Sequence, residues 1–230
     1  MQTPVLILAL PLLLLASPCP GAAGTNGFVP LFPDDGVPAG WLVRGWADVS
    51  QPAPTNALWR VEAGVLRGSD PRGTWLMSAR PYTNFVLEFE FKLGPRGNSG
   101  CALRAPWKGD PAFDGLELQM ADLRYNPQAK DSELTGGLYR AVAPTKQMYR
   151  PEAWNRYEIT LDGARLKVVL NGETIQDLNL DEQHQAVLRH DDSSAPPIKQ
   201  RPRYGQLGFQ ELSRGGSQVE IRHARLKELP

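Results

Sequence analysis

Cysteine, histidine and net charge are all scarce in this sequence. Its 230 residues hold two cysteines and three histidines, and 25 basic side chains balance 25 acidic ones. Cys19 lies in the N-terminal segment and Cys101 in the body, so no disulfide framework is written here and the fold must rest on its core. His184, His190 and His223 stand at no HxxxH or HExxH spacing, so no tight zinc site is marked. No cofactor is expected, and a divalent cation has no motif to support it. Zero net charge and a pI near 6.8 remove the positive field that counterion-driven nucleic-acid binding needs. The GxSxG turn of the α/β-hydrolases is missing, and Gly94-Pro95-Arg96-Gly97 lacks the GKS or GKT ending of a phosphate loop. Long helices are excluded nearly everywhere by 22 glycines and 21 prolines spread along the chain.

The first 23 residues differ from the rest. Met1 to Ala23 carries no charged side chain, and Val5 to Ala16 is apolar apart from Pro11. Such a run is too short to span a bilayer, which takes roughly 20 residues, but it suits the apolar region of a secretory signal. Gly21-Ala22-Ala23 supplies the small residues of a cleavage site. The expectation is a signal peptide over 1–23, export to the periplasm or the extracellular space, and a single domain over 24–230. No later segment is apolar enough to cross a membrane, so the mature chain is expected to have no transmembrane segment.

The body reads as strands. Phe85, Leu87, Phe89, Phe91 and Leu93 alternate with Val86, Glu88, Glu90 and Lys92, a period of two with one apolar face. Trp59 to Leu66 reads as a hairpin around Glu62-Ala63-Gly64. Tyr157 to Leu161, Leu166 to Leu170 and Thr174 to Leu178 form a meander turned by Asp162-Gly163 and Asn171-Gly172. Further strands are expected at Thr74–Ser78, Gly100–Leu103, Leu116–Met120, Gly137–Arg140, Gln206–Gln210 and Val219–Lys227. Asp181 to Arg189 is the one stretch expected to be helical, and 190–203 a polar, proline-containing loop. Ten or so short strands at close spacing point to an all-β, antiparallel sandwich or barrel.

The most loaded stretch is Gly115 to Asp122. On a strand, Glu117, Gln119 and Ala121 share one face and Leu116, Leu118 and Met120 the other. If the first face is the hollow of a curved sheet, it offers acceptors to a polar ligand such as a sugar. Arg104, Lys108 and Lys146 are candidate donors and Trp107 a candidate aromatic platform. The plainer alternative is that Glu117 and Gln119 simply face solvent. Cys101, at a strand start, reads as a buried thiol.

Several segments together resemble a known family. They are Leu31-Phe32-Pro33-Asp34-Asp35 with Gly40-Trp41, Trp75 to Ser78, Tyr82 to Phe85 and Glu88 to Phe91. Next come Asn98-Ser99-Gly100, Leu103 to Pro106, Glu117-Leu118-Gln119 with Asp122, and Thr135 to Tyr139. Ala143-Pro144, Lys146, Glu152 with Trp154-Asn155, Asn171-Gly172, Arg201-Pro202, Gly208-Phe209-Gln210 and Leu226 to Leu229 complete the order. From Phe28 to Leu229 the chain is similar to the 3-keto-disaccharide hydrolase domain family. One departure stands out. Where many relatives read Gln-Asp-His-Gly, this chain has Gln210-Glu211-Leu212, without the imidazole and with Glu211 as the carboxylate at that place.

The resemblance implies a concanavalin-like jelly roll acting on sugars oxidised at C3, with a small carbohydrate as substrate. A C3 ketone acidifies the C2 proton, so a base can remove it, the C1 substituent leaves, and water adds to the enone; ordinary glycosidases instead use paired carboxylates at an oxocarbenium-like centre. On this reading Glu117 is the base, Arg104 and Lys146 are cations for the enolate, and Asp122 is a second carboxylate or cation ligand. Gln119, Gln210, Trp107, Asn98 and Tyr139 contact substrate. The alternatives are a glycan-binding module without catalysis and a structural role at the cell envelope. An endo-glucanase is disfavoured because Glu117 to Asp122 lacks the ExDxxE pattern.

Overall fold

The computed structural model describes residues 26–230, so the leader expected over 1–23 lies outside the described residues. The chain forms β1 (Val29–Pro30), β2 (Trp41–Gly45), β3 (Arg60–Glu62), β4 (Val65–Arg67), β5 (Thr74–Tyr82), β6 (Phe85–Lys92) and β7 (Asn98–Ala105). A four-residue helix α1 (Pro111–Asp114) precedes β8 (Leu116–Ala121). Then follow β9 (Asn155–Asp162), β10 (Arg165–Leu170), β11 (Glu173–Asn179), β12 (Val187–Leu188), β13 (Ser194–Ala195), β14 (Gly205–Glu211) and β15 (Glu220–Glu228).

Two antiparallel sheets face each other. One has the order β11-β10-β9-β6-β15-β4-β3, with β1 also on β15; the other has the order β2-β5-β14-β7-β8. Several sheet neighbours are far apart in sequence, with β6 between β9 and β15 and β14 between β5 and β7, as in a concanavalin-like jelly roll. The alternation in β6 sends Phe85, Leu87, Phe89 and Phe91 inward, where they meet Cys101 and Leu103 of β7, Leu118 and Met120 of β8, and Phe209 of β14. Phe89 stands edge-on to Phe209 with centroids 5.2 Å apart, and Tyr157 of β9 donates its hydroxyl to the Gln119 carbonyl at 2.9 Å. These contacts lock sheet to sheet. Each buried aromatic of this kind contributes about 1.5–3 kcal/mol of transfer free energy.

Three local expectations are corrected. Asp181 to Arg189 is not a helix: one 3₁₀ turn covers Leu180–Glu182, and Val187 then pairs with Ala195 in a two-stranded ribbon. The physical reason is that Val187 packs on Ala112, Phe113 and Ala195 while Leu180 is buried in the main core, so the two apolar positions serve different clusters. Gly137 to Arg140 is a turn, touching β8 only through a Leu118–Leu138 bridge. Trp41–Gly45 forms the edge strand beside β5.

The third correction is at Arg104. Alternation would aim it outward with Gly100 and Ala102, but Gln206 pairs with Ala105 and Gly208 with Ala102, so β7 holds one residue more than β14 in between. This bulge puts Arg104 at φ +52° and turns its side chain inside, fully buried. There the guanidinium donates to the carbonyls of Thr83 (2.6 Å) and Gly163 (2.8 Å) and to Asn84 Oδ1 (3.1 Å). It fastens the β5–β6 turn to the β9–β10 turn. Gly205 is needed opposite, since a Cβ there would lie 2.5 Å from the Arg104 carbonyl carbon. Replacing Arg104 by Met should cost about 2–4 kcal/mol of stability by orphaning those acceptors. Chemical denaturation tests this, and an unchanged midpoint would refute the fastening role.

Candidate active site

The outer face of the five-stranded sheet carries a cleft of about 560 Å³. Its floor follows from strand register. Glu117, Gln119 and Ala121 of β8 lie opposite Ala102, Gly100 and Asn98 of β7, so all six share one face. Gln210 of β14 joins them, and the cleft is lined by Glu117, Gln119, Asn98, Gln210, Asp122 and Tyr139. The expected polar face is therefore a concave, ligand-sized surface and not simply a solvent-facing one. The strands beneath are buried on both faces.

Glu117 is the pivot. It is 3% exposed, and its Oε1 has no hydrogen-bond partner. Gly100 makes room for it: a Cβ on Gly100 would sit 1.9 Å from that oxygen. Burial drives its carboxyl well above the usual range, and the neighbouring Asp110 carboxyl adds to the effect. Asp110 itself is raised to about 7, chiefly by burial, although it accepts from the Ala112 amide at 3.0 Å as the N-cap of α1. Glu117 thus favours its acid form, and no cation pairs with it among the described residues.

Asp122 is different. Arg124 grips it with Nε on Oδ1 and Nη2 on Oδ2, both at 2.8 Å, and the Tyr149 hydroxyl donates to it at 3.1 Å. Burial pulls its pKa upward, but these hydrogen bonds outweigh it and hold the carboxylate below its usual range. It is a fixed anion whose lone pairs are already engaged. Gln119 donates to Asn98 at a long 3.4 Å and accepts from the Met120 amide, which leaves both amides with spare capacity toward a ligand.

Three expected participants lie elsewhere. Arg104 is buried in the sandwich, as above. Lys146 is exposed on a loop and paired with Glu173 of β11, so it does not line the cleft. Trp107 packs on Val49, Trp75, Met77, Ala102 and Ala105, beneath the Arg44 guanidinium 5.3 Å away and with its Nε1 on Gln206 at 2.7 Å, outside the cleft. Lys108 is also absent from the lining. Glu211 points to the opposite side of β14, where it accepts from the Ser213 and Val219 amides at 2.6 and 2.8 Å.

Conversely, the cleft gains Trp46, Asp110, Arg140 and His190. His190 comes from the loop joining β12 to β13 and sits among Trp46, Phe113 and Tyr139, with centroids 5.7, 5.3 and 5.9 Å away. The loop is drawn in by Arg189 on Asp114 (2.6 Å) and by Arg140 on the Leu188 and Arg189 carbonyls. Partial burial and the Arg140 charge lower the imidazole's pKa, so His190 is neutral at pH 7. An imidazole from another segment thus borders the same cleft as Gln210. Among the described residues no group of three or more His, Cys, Asp or Glu is arranged to hold a metal. No described helix is long and apolar enough to cross a membrane.

A polar, carboxyl-floored cleft of this size on a jelly roll is suited to binding a carbohydrate. The chain belongs to the 3-keto-alpha-glucoside-1,2-lyase-like domain family, whose sequence profile matches residues 27–227. Three solved structures of candidate glycosyl hydrolases from Parabacteroides distasonis share the fold. The first has 21% identity and a TM-score of 0.70, over 88% of this chain and 99% of the other. The second has 24% identity and a TM-score of 0.68, over 89% and 95%. The third has 19% identity and a TM-score of 0.61, over 94% of each chain. No curated protein matches the chain significantly.

Stability should report the state of the floor carboxyls. Asp110 rises from 3.8 to about 7 on folding and Glu117 shifts the same way, so the native state binds the extra protons. Their contribution is full below the unfolded pKa and is lost as pH climbs through the folded one, with a slope of at most about 1.4 kcal/mol per pH unit for each proton. Urea midpoints should therefore fall between pH 5 and pH 8, and Glu117→Gln should flatten the fall. A midpoint that rises over this range would mean that the carboxyls are ionised.

Proposed function

We propose that the cleft cleaves glycosides oxidised at C3, by C2 deprotonation, elimination across C1–C2 and hydration of the enone. One observation carries the reading: an acid pushed up and a base pushed down, Glu117 and His190, line the same cleft. Paired groups whose environments separate their pKa values are suited to act as acid and base at one pH. This assigns Glu117 the acid role in place of the base role expected from sequence.

His190 Nδ1 or Nε2 accepts the C2 proton. The electron pair spreads onto the C3 oxygen, the C1–O bond breaks, and Glu117 gives its proton to the departing oxygen. Water then adds to C1 of the enone and a proton returns to C2, so the sum is hydrolysis. With Arg104 and Lys146 elsewhere, the enolate oxygen falls to neutral donors: the Tyr139 hydroxyl and the Gln119 and Gln210 amides. Burial keeps the Tyr139 hydroxyl protonated, as a donor must be. Asp122, held by Arg124, orders the floor. Export, with removal of the leader over 1–23, is part of this proposal.

Purified protein mixed with 3-keto-trehalose, 3-keto-sucrose and a 3-keto-glucoside should release 3-keto-glucose. Glu117→Gln should lower the rate by about 10²–10⁴-fold, and His190→Ala comparably. The kcat/KM profile should rise as His190 loses its proton below 6.5 and fall where Glu117 ionises. Near-normal turnover by Glu117→Gln would remove it from the mechanism, and saturable binding with no product from any of the three would favour a glycan-binding module instead.

A further inference from the structure

The cleft is electrically lopsided. Glu117 and Asp110 sit at one end with Tyr139 and His190, while Ala121 and Asn98 mark the other, four residues along β8 and so about 13 Å away. At this far end Arg72 comes from the turn before β5 and Arg214 from the β14–β15 loop, brought close by Gly73 N on the Glu211 carbonyl and Arg214 N on the Arg96 carbonyl. Both meet one ring. Arg72 Nη2 donates to the Tyr125 hydroxyl at 3.0 Å, and the Arg214 guanidinium lies 4.4 Å from the Tyr125 centroid.

The surrounding charges are already satisfied. Asp122 is paired with Arg124, and Glu133 accepts from Arg140 at 2.8 Å. Burial disfavours the ionised forms of Glu117 and Asp110, and Glu211, although within reach of the Arg72 charge, is turned behind β14 onto the Ser213 and Val219 amides. Among the described residues neither Arg72 nor Arg214 reaches a carboxylate within 4.0 Å. Two exposed guanidiniums on an aromatic plate, both lining the cleft and neither in a direct ion pair among the described residues, match the geometry of carboxylate or sulfate recognition.

We infer that the Arg72–Tyr125–Arg214 end is a subsite for an anionic leaving group: the glycoside cleaved carries a carboxylate or sulfate on the ring or aglycone beyond the scissile bond. The inference rests on the proposed C3-keto chemistry for the word "leaving", but not for anion binding itself. About 13 Å from Glu117 is too far for the reacting ring and suits the next residue of a disaccharide.

Two measurements separate the claims. For 4-carboxyphenyl and 4-carbamoylphenyl 3-keto-α-glucosides, kcat/KM should favour the carboxylate about tenfold, and Arg72→Gln with Arg214→Gln should bring the ratio near one while leaving the carbamoyl substrate's kcat unchanged. Independently, calorimetric titration should show methyl glucuronide binding about tenfold tighter than methyl glucoside, a preference that the double variant loses. Both arginines are exposed, so a melting curve suffices to show the variant folded. Equal binding of the two sugars, or binding of neither, overturns the subsite whatever the turnover. If neither aryl glycoside is cleaved but the glucuronide preference holds, the C3-keto reading fails and the anion subsite stands.

Discussion

A strand that is dry on both faces has to satisfy two environments at once, and the whole site follows from that constraint. β8 gives Leu116, Leu118 and Met120 to the core and Glu117 and Gln119 to the cleft, and all are buried. Leaving a carboxyl there without a partner costs several kcal/mol if it is charged, so it stays protonated. The aromatic core between the sheets must offset what remains of that cost. The reactive character of Glu117 is therefore a property of the sandwich as a whole: the same packing that fixes the register of β7 against β8 keeps water from the acid.

Around this floor, polar groups divide into those that are committed and those that are free. Asp122 spends its oxygens on Arg124 and Tyr149, Glu211 on two backbone amides, and Arg104 on two turns. Such groups hold geometry. Gln119, Gln210 and Asn98 keep unfilled capacity, and Glu117 Oε1 has no partner at all. On the proposed function ligand recognition belongs to the second set, and residue type alone does not tell a committed carboxylate or cation from a free one.

The sheet architecture was legible because alternation is a short-range signal: Phe85 to Leu93, the Asn171-Gly172 turn and the Glu117/Gln119 face all read correctly from spacing. The misassigned residues share a physical cause. Arg104 obeys alternation on paper, but a one-residue bulge set by its pairing with β14 reverses it, and pairing partners a hundred residues away leave no local trace. Lys146 and Trp107 sit in loops whose course depends on what they pack against. His190 carries no local signal of its place for the same reason, since only the Arg189–Asp114 and Arg140 contacts carry its loop across the fold.

Helix α1 is only four residues long, yet three tethers meet on it. Its N-cap Asp110 borders Glu117, its Asp114 anchors the Arg189 that precedes His190, and Arg201 donates to the Ala112 and Gly115 carbonyls at 3.0 Å. Acid neighbour and imidazole are thus mounted on a common bracket. On the proposed chemistry, the separation between Glu117 and His190 is set by covalent chain and ion pairs before any sugar arrives. On the proposed function, changes at the outer rim leave the spacing of the pair alone, so breadth of substrate size and constancy of chemistry need not trade against each other.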